Sequence, residues 1–417
     1  MTDETTARGG MPSFRDVFGV EGFTPLYVVG ALSVWGDYIA RLAIAAVVFS
    51  RTGSALATAV TLAVSFVPTI IGRSLLGPLI DILPYRSVLI VALVARSLCV
   101  LALLWAVQVG SPILVLLAIL FLLELLGGPH GAASQVMWLD LIPDRRLYLK
   151  AMGLGSLSEQ VNQAAGLAVG GLLLGFVGAR LGLVIDALTF LGSAVVVALV
   201  VRERPVGRAR TPGTFSGIFH DLGVGGRLIR THPVLLRLLT LSSVAALAIA
   251  VPEAVAIPYA GDGRLGGFLM AAPIAGAAVG VVIVGRWPPD VGNARIINMA
   301  LLMPIPLLLC AFQPSLPVTW VLWFASGLLQ SFMLLLQSTF TLLAPHERRG
   351  TMLGLAAAVS VGSAGGAYLL AGWLAEQTTP YAAVAIGAVV CLGAVVLLRA
   401  TWPRRELDEA VRTAYQS

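Results

Sequence analysis

Charged side chains are scarce in this chain of 417 residues. Asp, Glu, Lys and Arg together make up 12% of the sequence, whereas apolar residues make up 58%, and the mean hydropathy is +0.92. Soluble domains usually carry about 25% charged residues. The shortage of charge therefore excludes a soluble globular protein and predicts a polytopic membrane protein.

Lysine is almost absent, because Lys150 is the single one in the chain. A phosphate-binding loop of the Walker type requires Gly-Lys followed by Ser or Thr. Lys150 stands instead between Leu149 and Ala151. The sequence therefore excludes a chain that is driven directly by its own ATP hydrolysis.

Histidine and cysteine are also rare, and their positions exclude two further kinds of site. The cysteines Cys99, Cys310 and Cys391 each lie inside an apolar run and are odd in number, so a disulfide framework is not expected. The histidines form no recognisable metal-binding spacing; they are His130, His220, His232 and His346. We therefore expect no metal site and no cofactor.

The net charge of +6 comes from arginines that gather in alternate loops. Most of them fall on the side that carries the polar stretch 202–234, and Arg51, Arg180 and Arg264 are the only basic residues in loops on the other side. Positive charge accumulates on the cytoplasmic side of membrane proteins. The distribution predicts that both termini and the 202–234 stretch are cytoplasmic, and it argues against nucleic acid as a partner.

Apolar runs fill most of the chain, and twelve of them approach or exceed the roughly 20 residues that a helix needs to cross a bilayer. They are residues 24–50, 54–80, 87–109, 112–139, 150–177, 179–201, 235–261, 264–286, 295–313, 316–344, 351–376 and 379–400. We predict an all-α polytopic membrane protein with twelve transmembrane helices in two pseudo-symmetric six-helix halves. The predicted divisions are a cytoplasmic N-terminal tail (1–23), an N-terminal half (24–201), a cytoplasmic linker (202–234), a C-terminal half (235–400) and a cytoplasmic C-terminal tail (401–417).

One pattern occurs twice, about half a chain length apart, and supports this duplication. Each copy stands where a long apolar run ends in a short polar turn. The copies are Gly72-x4-Gly77-x3-Asp81-x4-Arg86 and Gly280-x4-Gly285-x4-Asp290-x4-Arg295. A membrane chain built from two similar halves is typical of transporters.

Three segments of the sequence resemble the major facilitator superfamily. The loop Gly77-Pro-Leu-Ile-Asp81-Ile-Leu-Pro-Tyr-Arg86 is similar to the family's loop between spans 2 and 3. Trp35-Gly36-Asp37 in span 1 and Asp186-Ala-Leu-Thr-Phe190 in span 6 resemble segments of its 12-span drug-exporter branch, which includes macrolide and siderophore exporters. The resemblance covers essentially the whole chain.

Span 5 carries a further string that resembles the antiporter motif of this family. It reads Asn162-x3-Gly166-Leu167-x2-Gly170-Gly171. The resemblance favours export over import. The alternative is a face of small residues that packs against another helix, which gives the same string.

The resemblance also implies a gating role for the repeated loop. Asp81 can accept hydrogen bonds from a helix N-terminus or pair with an arginine, forming a latch that breaks when the cavity opens inward. The alternative is a structural turn that fixes the helix register. The candidate gating residues are Gly77, Asp81, Arg86, Asp290 and Arg295.

Several ionisable and amide side chains lie inside the predicted spans, where each needs a partner or a water-filled cavity. In the fold that the resemblance implies, spans 1, 4, 7 and 10 line the substrate cavity with help from spans 2, 5, 8 and 11. The candidate cavity residues on these spans are Asp37, Arg41, Glu124, Glu159, Glu253, Gln330 and Gln337.

The Asp37–Arg41 pair and Glu124 are predicted to have different roles. Asp37 and Arg41 are four residues apart, which places them on one helix face and predicts a structural or gating ion pair. Glu124 has no basic neighbour on its own span except His130. An unpaired buried carboxyl can exchange a proton near neutral pH, so Glu124 is the preferred proton carrier, with Asp37 and His130 as further candidates. The alternative is a neutral packing residue or a cavity wall that contacts a cationic substrate. Asp186 is expected to cap or pair near the outer end of span 6.

These features predict a monomeric secondary active transporter in the inner membrane of a bacterium. We expect it to export a small amphipathic organic molecule (a drug, an antibiotic or a siderophore-like compound) by alternating access, in exchange for protons. The alternatives are an importer or facilitator of a polar metabolite, and a membrane enzyme or receptor on the same fold. No nucleophile, base and carboxylate gather at one predicted membrane depth, so we expect that the protein is not an enzyme.

Overall fold

The computed structural model describes residues 14–72, 76, 79–80, 82–202, 226, 232–287, 289–344, 349–403 and 406–407. The candidate gating residues Gly77 and Asp81 lie outside these ranges, as do most of the 202–234 stretch and most of both tails. The domain boundaries that the sequence places in those segments therefore stay predictions.

The apolar runs form helices, which we number in the order of the predicted spans. They are α1 (Phe23–Thr52), α2 (Ala55–Ala63 and Phe66–Ile71), α3 (Tyr85–Gln108), α4 (Ile113–Leu141), α5 (145–177), α6 (Gly178–Val200), α7 (Pro233–Ala260), α8 (Gly263–Val284), α9 (Pro289–Leu302 and Ile305–Leu308), α10 (Leu316–Gln330 and Phe332–Leu343), α11 (Arg349–Gln377) and α12 (Pro380–Ala400). A short helix, Phe14–Phe18, precedes α1, and a 3-10 turn, Leu309–Phe312, ends α9.

Glycine ends the helices at two turns on the predicted outer side. Gly178 separates α5 from α6 with φ 75° and ψ 167°, and Gly53 follows α1 with φ 66°. Glycine adopts these positive φ values at little energetic cost, unlike residues that carry a Cβ. The Ser54 hydroxyl then accepts a hydrogen bond from the Ala57 amide at 3.0 Å and caps α2. The chain can therefore reverse direction in very short loops.

Among the described residues, ten helices are long and apolar enough to cross a membrane. α2 is not one of them, because it is broken between Ala63 and Phe66 and the residues after it are partly outside the described ranges. α5 is the other exception, and many of its side chains lie outside the described set. The prediction of an all-α polytopic membrane protein in two halves is confirmed, and the count of twelve predicted spans is roughly consistent with these elements.

Each half has its own apolar core. The N-terminal core contains fully or almost fully buried side chains from four helices: Ile44 of α1, Leu93 of α3, Leu120 of α4 and Phe190 of α6. The C-terminal core surrounds Trp323 of α10 and also takes in Ala59 of α2 and Leu167 of α5. The second core therefore extends across the boundary between the halves.

The first glycine of the repeated pattern has the same structural role in both halves. A methyl group at Gly72, where α2 ends, would overlap the backbone oxygen of Leu125 in α4. A methyl group at Gly280 of α8 would overlap the backbone oxygen of Leu328 in α10. Glycine thus lets the second helix of each half cross the fourth with their backbones in contact. The repeat in the sequence corresponds to an equivalent helix crossing in each half.

The two halves are joined on the predicted outer side. The Glu376 carboxylate of α11 accepts hydrogen bonds from the Ser54 hydroxyl at 3.0 Å and from the Leu56 amide at 3.2 Å. The guanidinium carbon of Arg264, at the start of α8, lies 4.6 Å from the centre of the Phe176 ring, near the end of α5. These contacts link α2 to α11 and α5 to α8.

Candidate functional site

A cavity of about 510 Å³ lies within the N-terminal half. Its walls come from α1, α3, α4, α5 and α6, with Thr69 contributed by α2. Helix ends on the predicted cytoplasmic side supply aromatic side chains to it, namely Phe23, Tyr27, Trp138 and Tyr148. Positions nearer the middle of the helices supply its ionisable side chains, namely Asp37, Arg41, Arg96, Glu124 and His130. Small-molecule sites in proteins have volumes of this order.

The cavity differs from the one expected, because its described lining includes no residue of the C-terminal half. Glu253 of α7 accepts a hydrogen bond from the Tyr368 hydroxyl of α11 instead. Gln330 is half-buried and Gln337 is exposed, both on α10. None of these three residues lines this cavity, and their place in a substrate cavity with Asp37 and Glu124 stays a prediction. The side chain of Glu159 lies outside the described set.

Glu124 is paired, which corrects the expectation that it stands alone. The Arg41 guanidinium of α1 donates two hydrogen bonds to the Glu124 carboxylate of α4, at 2.6 Å from Nε and 2.9 Å from Nη2. Glu124 is buried, and 30% of the Arg41 side chain is exposed. A two-point contact of this kind fixes the orientation of both side chains.

Asp37 pairs with Arg96, a residue that was not among the predicted site residues. Arg96 of α3 donates a hydrogen bond from Nη2 to Asp37 Oδ1 at 2.7 Å. The Arg96 guanidinium carbon also lies 4.3 Å from the centre of the Phe190 ring of α6, a cation–π contact. The prediction of an Asp37–Arg41 ion pair is therefore wrong.

The exchange of partners has a physical reason. An ion pair between Asp37 and Arg41 would leave Arg96 and Glu124 as unpaired charges inside the membrane, which is far less favourable than two interhelical pairs. The signal for Arg96 was present in the sequence, since it is an arginine at the middle of the apolar run 87–109. A charge so deep in a span requires a partner on another helix.

Asp186 lies elsewhere than expected. It is 0% exposed and sits eight residues into α6, about 12 Å along the helix from Gly178. Its carboxylate packs directly on α1, where a methyl group at Gly36 would overlap it. The expectation of a cap near the outer end of α6 is therefore wrong.

The string that resembles the antiporter motif packs α5 against α1. Asn162 accepts a hydrogen bond from the Trp35 indole at 2.9 Å and donates one to the Ser158 hydroxyl at 2.8 Å. A methyl group at Gly166 would lie 3.1 Å from the Tyr38 ring, and one at Gly170 would lie 3.1 Å from the Ile39 side chain. The face of small residues, which was the alternative interpretation, is thus present. Asn162 and Ser158 also line the cavity.

The candidate gating residues are described only in part. Arg86 donates a hydrogen bond from Nη2 to the Ala198 carbonyl at 2.7 Å, near the C-terminus of α6, where a positive charge is favourable. The guanidinium carbon of Arg295 lies 4.6 Å from the centre of the Trp287 ring. The side chain of Asp290 lies outside the described set, as Gly77 and Asp81 do entirely. The gating role stays a prediction.

The charged groups form a balanced cluster beside the cavity. Two arginines face two carboxylates, and His130 of α4 interacts electrostatically with Arg96. Protonation of either carboxylate, or a charged group of a bound molecule, would compete with the partner arginine for its ion pair. The arrangement can therefore couple the binding of a ligand to a rearrangement of α1, α3 and α4.

Solved structures with the same fold include several transporters. They are a bacterial homologue of the iron transporter ferroportin in an inward-facing state (15% identity, TM-score 0.65, 92% of this chain and 100% of that chain), the nucleoside transporter NupG (11%, 0.68, 91% and 99%) and a bacterial homologue of the human lysosomal transporter Spinster in an inward-facing, unoccupied conformation (17%, 0.59, 94% and 98%). At these identities the likeness shows the fold alone. No curated protein sequence matches the chain.

A family comparison covers almost the whole sequence. The sequence profile of the Major Facilitator Superfamily matches residues 26–302 and, a second time, residues 234–415. The second match begins where α7 begins, as expected for a chain with a repeated half. With its all-helical fold, its two halves and its buried charges beside a cavity, the chain belongs to the major facilitator superfamily.

Proposed function

We propose that this protein is a proton-coupled exporter in the inner membrane of a bacterium, which moves a small amphipathic organic molecule outward by alternating access. The observation that carries the proposal is a cavity that combines aromatic walls toward the predicted cytoplasmic side with two ion pairs near the middle of the membrane. The contacts between the halves on the predicted outer side support it. A transporter of this kind exposes its site to one side at a time.

The lining of the cavity favours an amphipathic substrate. Phe23, Tyr27, Trp138 and Tyr148 offer aromatic surface for the apolar part of such a molecule. The charged side chains beyond them offer partners for a polar or charged group. Arg41 and Arg96 are each already paired with a carboxylate. A charged group of the substrate must therefore compete with an existing ion pair.

Proton coupling through Glu124 follows from that competition. A proton that binds Glu124 removes the charge that holds Arg41 and frees the guanidinium. A cationic group of the substrate favours the ionised carboxylate instead. Proton and substrate therefore exclude each other at this residue, which is the requirement for antiport.

The first prediction tests this role in everted membrane vesicles, whose acidic interior corresponds to the predicted outer side. Wild-type vesicles should accumulate fluorescent amphipathic dyes when respiration is active and release them when the proton gradient is collapsed. Glu124→Gln imitates the protonated carboxyl, so gradient-driven accumulation should fall by about tenfold or more, and binding of cationic dyes to the purified protein should weaken. Asp144→Asn is the matched control, because an asparagine still caps α5 as Asp144 does.

Three outcomes would contradict the proposal. Full accumulation by Glu124→Gln would remove Glu124 from the coupling step. Accumulation of polar metabolites by vesicles of native orientation, with no response to dyes, would favour the second candidate, an importer or facilitator whose buried charges bind a polar substrate. Chemical conversion of a test compound, without transport, would favour an enzyme.

A further inference from the structure

Asp186 is a buried carboxyl that the proposed coupling step does not use. No part of its side chain is exposed, and Oδ2 has no hydrogen-bond partner. Oδ1 accepts one long hydrogen bond, of 3.4 Å, from the Thr189 hydroxyl, which also donates to the Asp186 carbonyl oxygen at 2.7 Å. The carboxyl is therefore almost without hydrogen-bond donors.

The charges that face Asp186 are already balanced among themselves. The helices packed on α6 bring Asp37 from α1 and Arg96 from α3, and Glu124 of α4 also acts on Asp186 through space. Arg41 neutralises Glu124, Arg96 neutralises Asp37, and His130 of α4 adjoins Arg96. An ionised Asp186 would add an unpaired negative charge to this neutral set.

Arg96, one of the charges that act on Asp186, has a buried nitrogen atom without a hydrogen-bond partner. Its Nη2 group is bound to Asp37, whereas its Nε atom is buried without a hydrogen-bond partner. One buried carboxylate oxygen and one buried guanidinium nitrogen thus both lack partners, and the two side chains interact electrostatically. Unsatisfied buried polar atoms are rare and require an explanation.

We propose that Asp186 is a proton-binding site, that it holds a proton in the conformation described, and that it shares Arg96 with Asp37. A bound proton makes Asp186 neutral and leaves the whole of Arg96 to Asp37. Asp37 lines the cavity and Asp186 does not, so the proton reaches or leaves Asp186 by way of Asp37. In that exchange the O–H bond of Asp186 breaks, the proton passes to a carboxylate oxygen of Asp37, and Arg96 transfers its ion pair to Asp186. The proton count and the net charge of the cluster are unchanged until Asp37 releases the proton into the cavity.

The packing of α1 on α6 links this site to movement. The Asp186 carboxyl fills the notch that Gly36 leaves on α1, and the Ser193 hydroxyl of α6 donates a hydrogen bond to the Val29 carbonyl of α1 at 3.2 Å. A negative charge at Asp186 would draw Arg96 toward this contact. The charge of Asp186 therefore sets how α1, α3 and α6 fit together.

The second prediction concerns the protonated carboxyl itself, which infrared spectroscopy detects through its C=O stretching band. Purified wild-type protein at neutral pH should show a protonated-carboxyl band that Asp186→Asn removes. Asp37→Asn should remove the same band, because Arg96 then becomes free to pair with Asp186 and favours its ionised form. Glu253→Gln, a change at a buried carboxyl of the other half, should leave this band in place.

Each result decides the inference. Asparagine is neutral and nearly isosteric with the protonated acid, so Asp186→Asn should purify as a monodisperse protein with a melting temperature close to that of the wild type. The proposal would be overturned if Asp186→Asn failed to fold or kept the infrared band. It would equally be overturned if Asp37→Asn kept the band.

The role of Asp186 in transport rests on the proposed proton antiport. The presence of a proton on Asp186 does not depend on that proposal. If the band behaves as expected while dye accumulation ignores the proton gradient, the antiport proposal fails and the proton site remains. If accumulation follows the gradient and the band is absent from the wild type, the site fails and antiport through Glu124 remains.

Discussion

At the scale of single residues, two ion pairs between helices hold four charges inside the membrane. Sequence spacing along α1 favours a pair between Asp37 and Arg41, yet each binds a residue of another helix, Arg96 and Glu124 respectively. Each charge is satisfied only because two helices bring opposite signs together at one depth. Removal of a single member is therefore more harmful than removal of a whole pair.

The third prediction follows from this asymmetry. Arg96→Gln leaves the Asp37 carboxylate without its partner and should lower the free energy of unfolding by about 3 kcal/mol. The double variant Asp37→Asn with Arg96→Gln removes both charges and should regain most of that loss. Thermal unfolding of the purified proteins in detergent measures both effects.

The exposed Arg180, on the predicted outer side, provides the control for loss of an arginine. Arg180→Gln should change stability by less than about 1 kcal/mol. Equal destabilisation by the single and double variants would show that the Arg96–Asp37 pair contributes nothing specific.

At the scale of helices, close crossings at glycine define each half. Gly72 and Gly280 belong to the repeated pattern, and both allow backbone contact with the fourth helix of their half. Gly166 and Gly170 of the string in α5 act similarly toward α1, where an added methyl group would meet both side-chain and backbone atoms. Small residues in a membrane chain therefore mark where helices touch as well as where they turn.

The fourth prediction tests these crossings. Gly72→Ala and Gly280→Ala each place a methyl group against a backbone oxygen that cannot move aside, so each should lower stability by about 1–3 kcal/mol. Gly393→Ala on α12, where a methyl group meets nothing within 4 Å, should be neutral. Melting temperatures of the three variants check the difference, and equal values would contradict the crossings.

At the scale of the whole molecule, the two halves share an architecture but differ in charge. The N-terminal half holds the cavity and both ion pairs, whereas the C-terminal half holds Glu253 with its Tyr368 partner. Tyr368 also lies edge-on to Phe66 of α2, with ring centres 5.2 Å apart, so this second polar site touches the boundary between the halves. Within the described residues, the buried ion pairs thus lie in the N-terminal half, and the C-terminal half brings a second polar site to the boundary between the halves.

The fifth prediction concerns orientation in the membrane. Cysteines introduced as Gly213→Cys and Ser417→Cys should react with an impermeant thiol reagent only from the cytoplasm. Val109→Cys and Thr378→Cys, at exposed turns on the opposite side, should react only from outside. The native cysteines Cys99, Cys310 and Cys391 are buried and serve as the background in the unmodified protein.

Labelling of residues 213 and 417 from opposite sides would contradict the predicted topology. It would also place the linker and the C-terminus in different compartments. Two six-helix halves with even span counts do not permit that arrangement.

The sequence by itself determined the all-helical membrane architecture and the division into two halves. Those features follow from local quantities: the length of an apolar run, the position of a polar turn and the repeat of a pattern. Only the tertiary structure decided that Arg41 binds Glu124, that Arg96 binds Asp37 and that the cavity lies within one half. An ion pair depends on which helices are neighbours, how each is rotated and at what depth its charges stand. These quantities are fixed by packing between segments far apart in the chain, and no local pattern contains them.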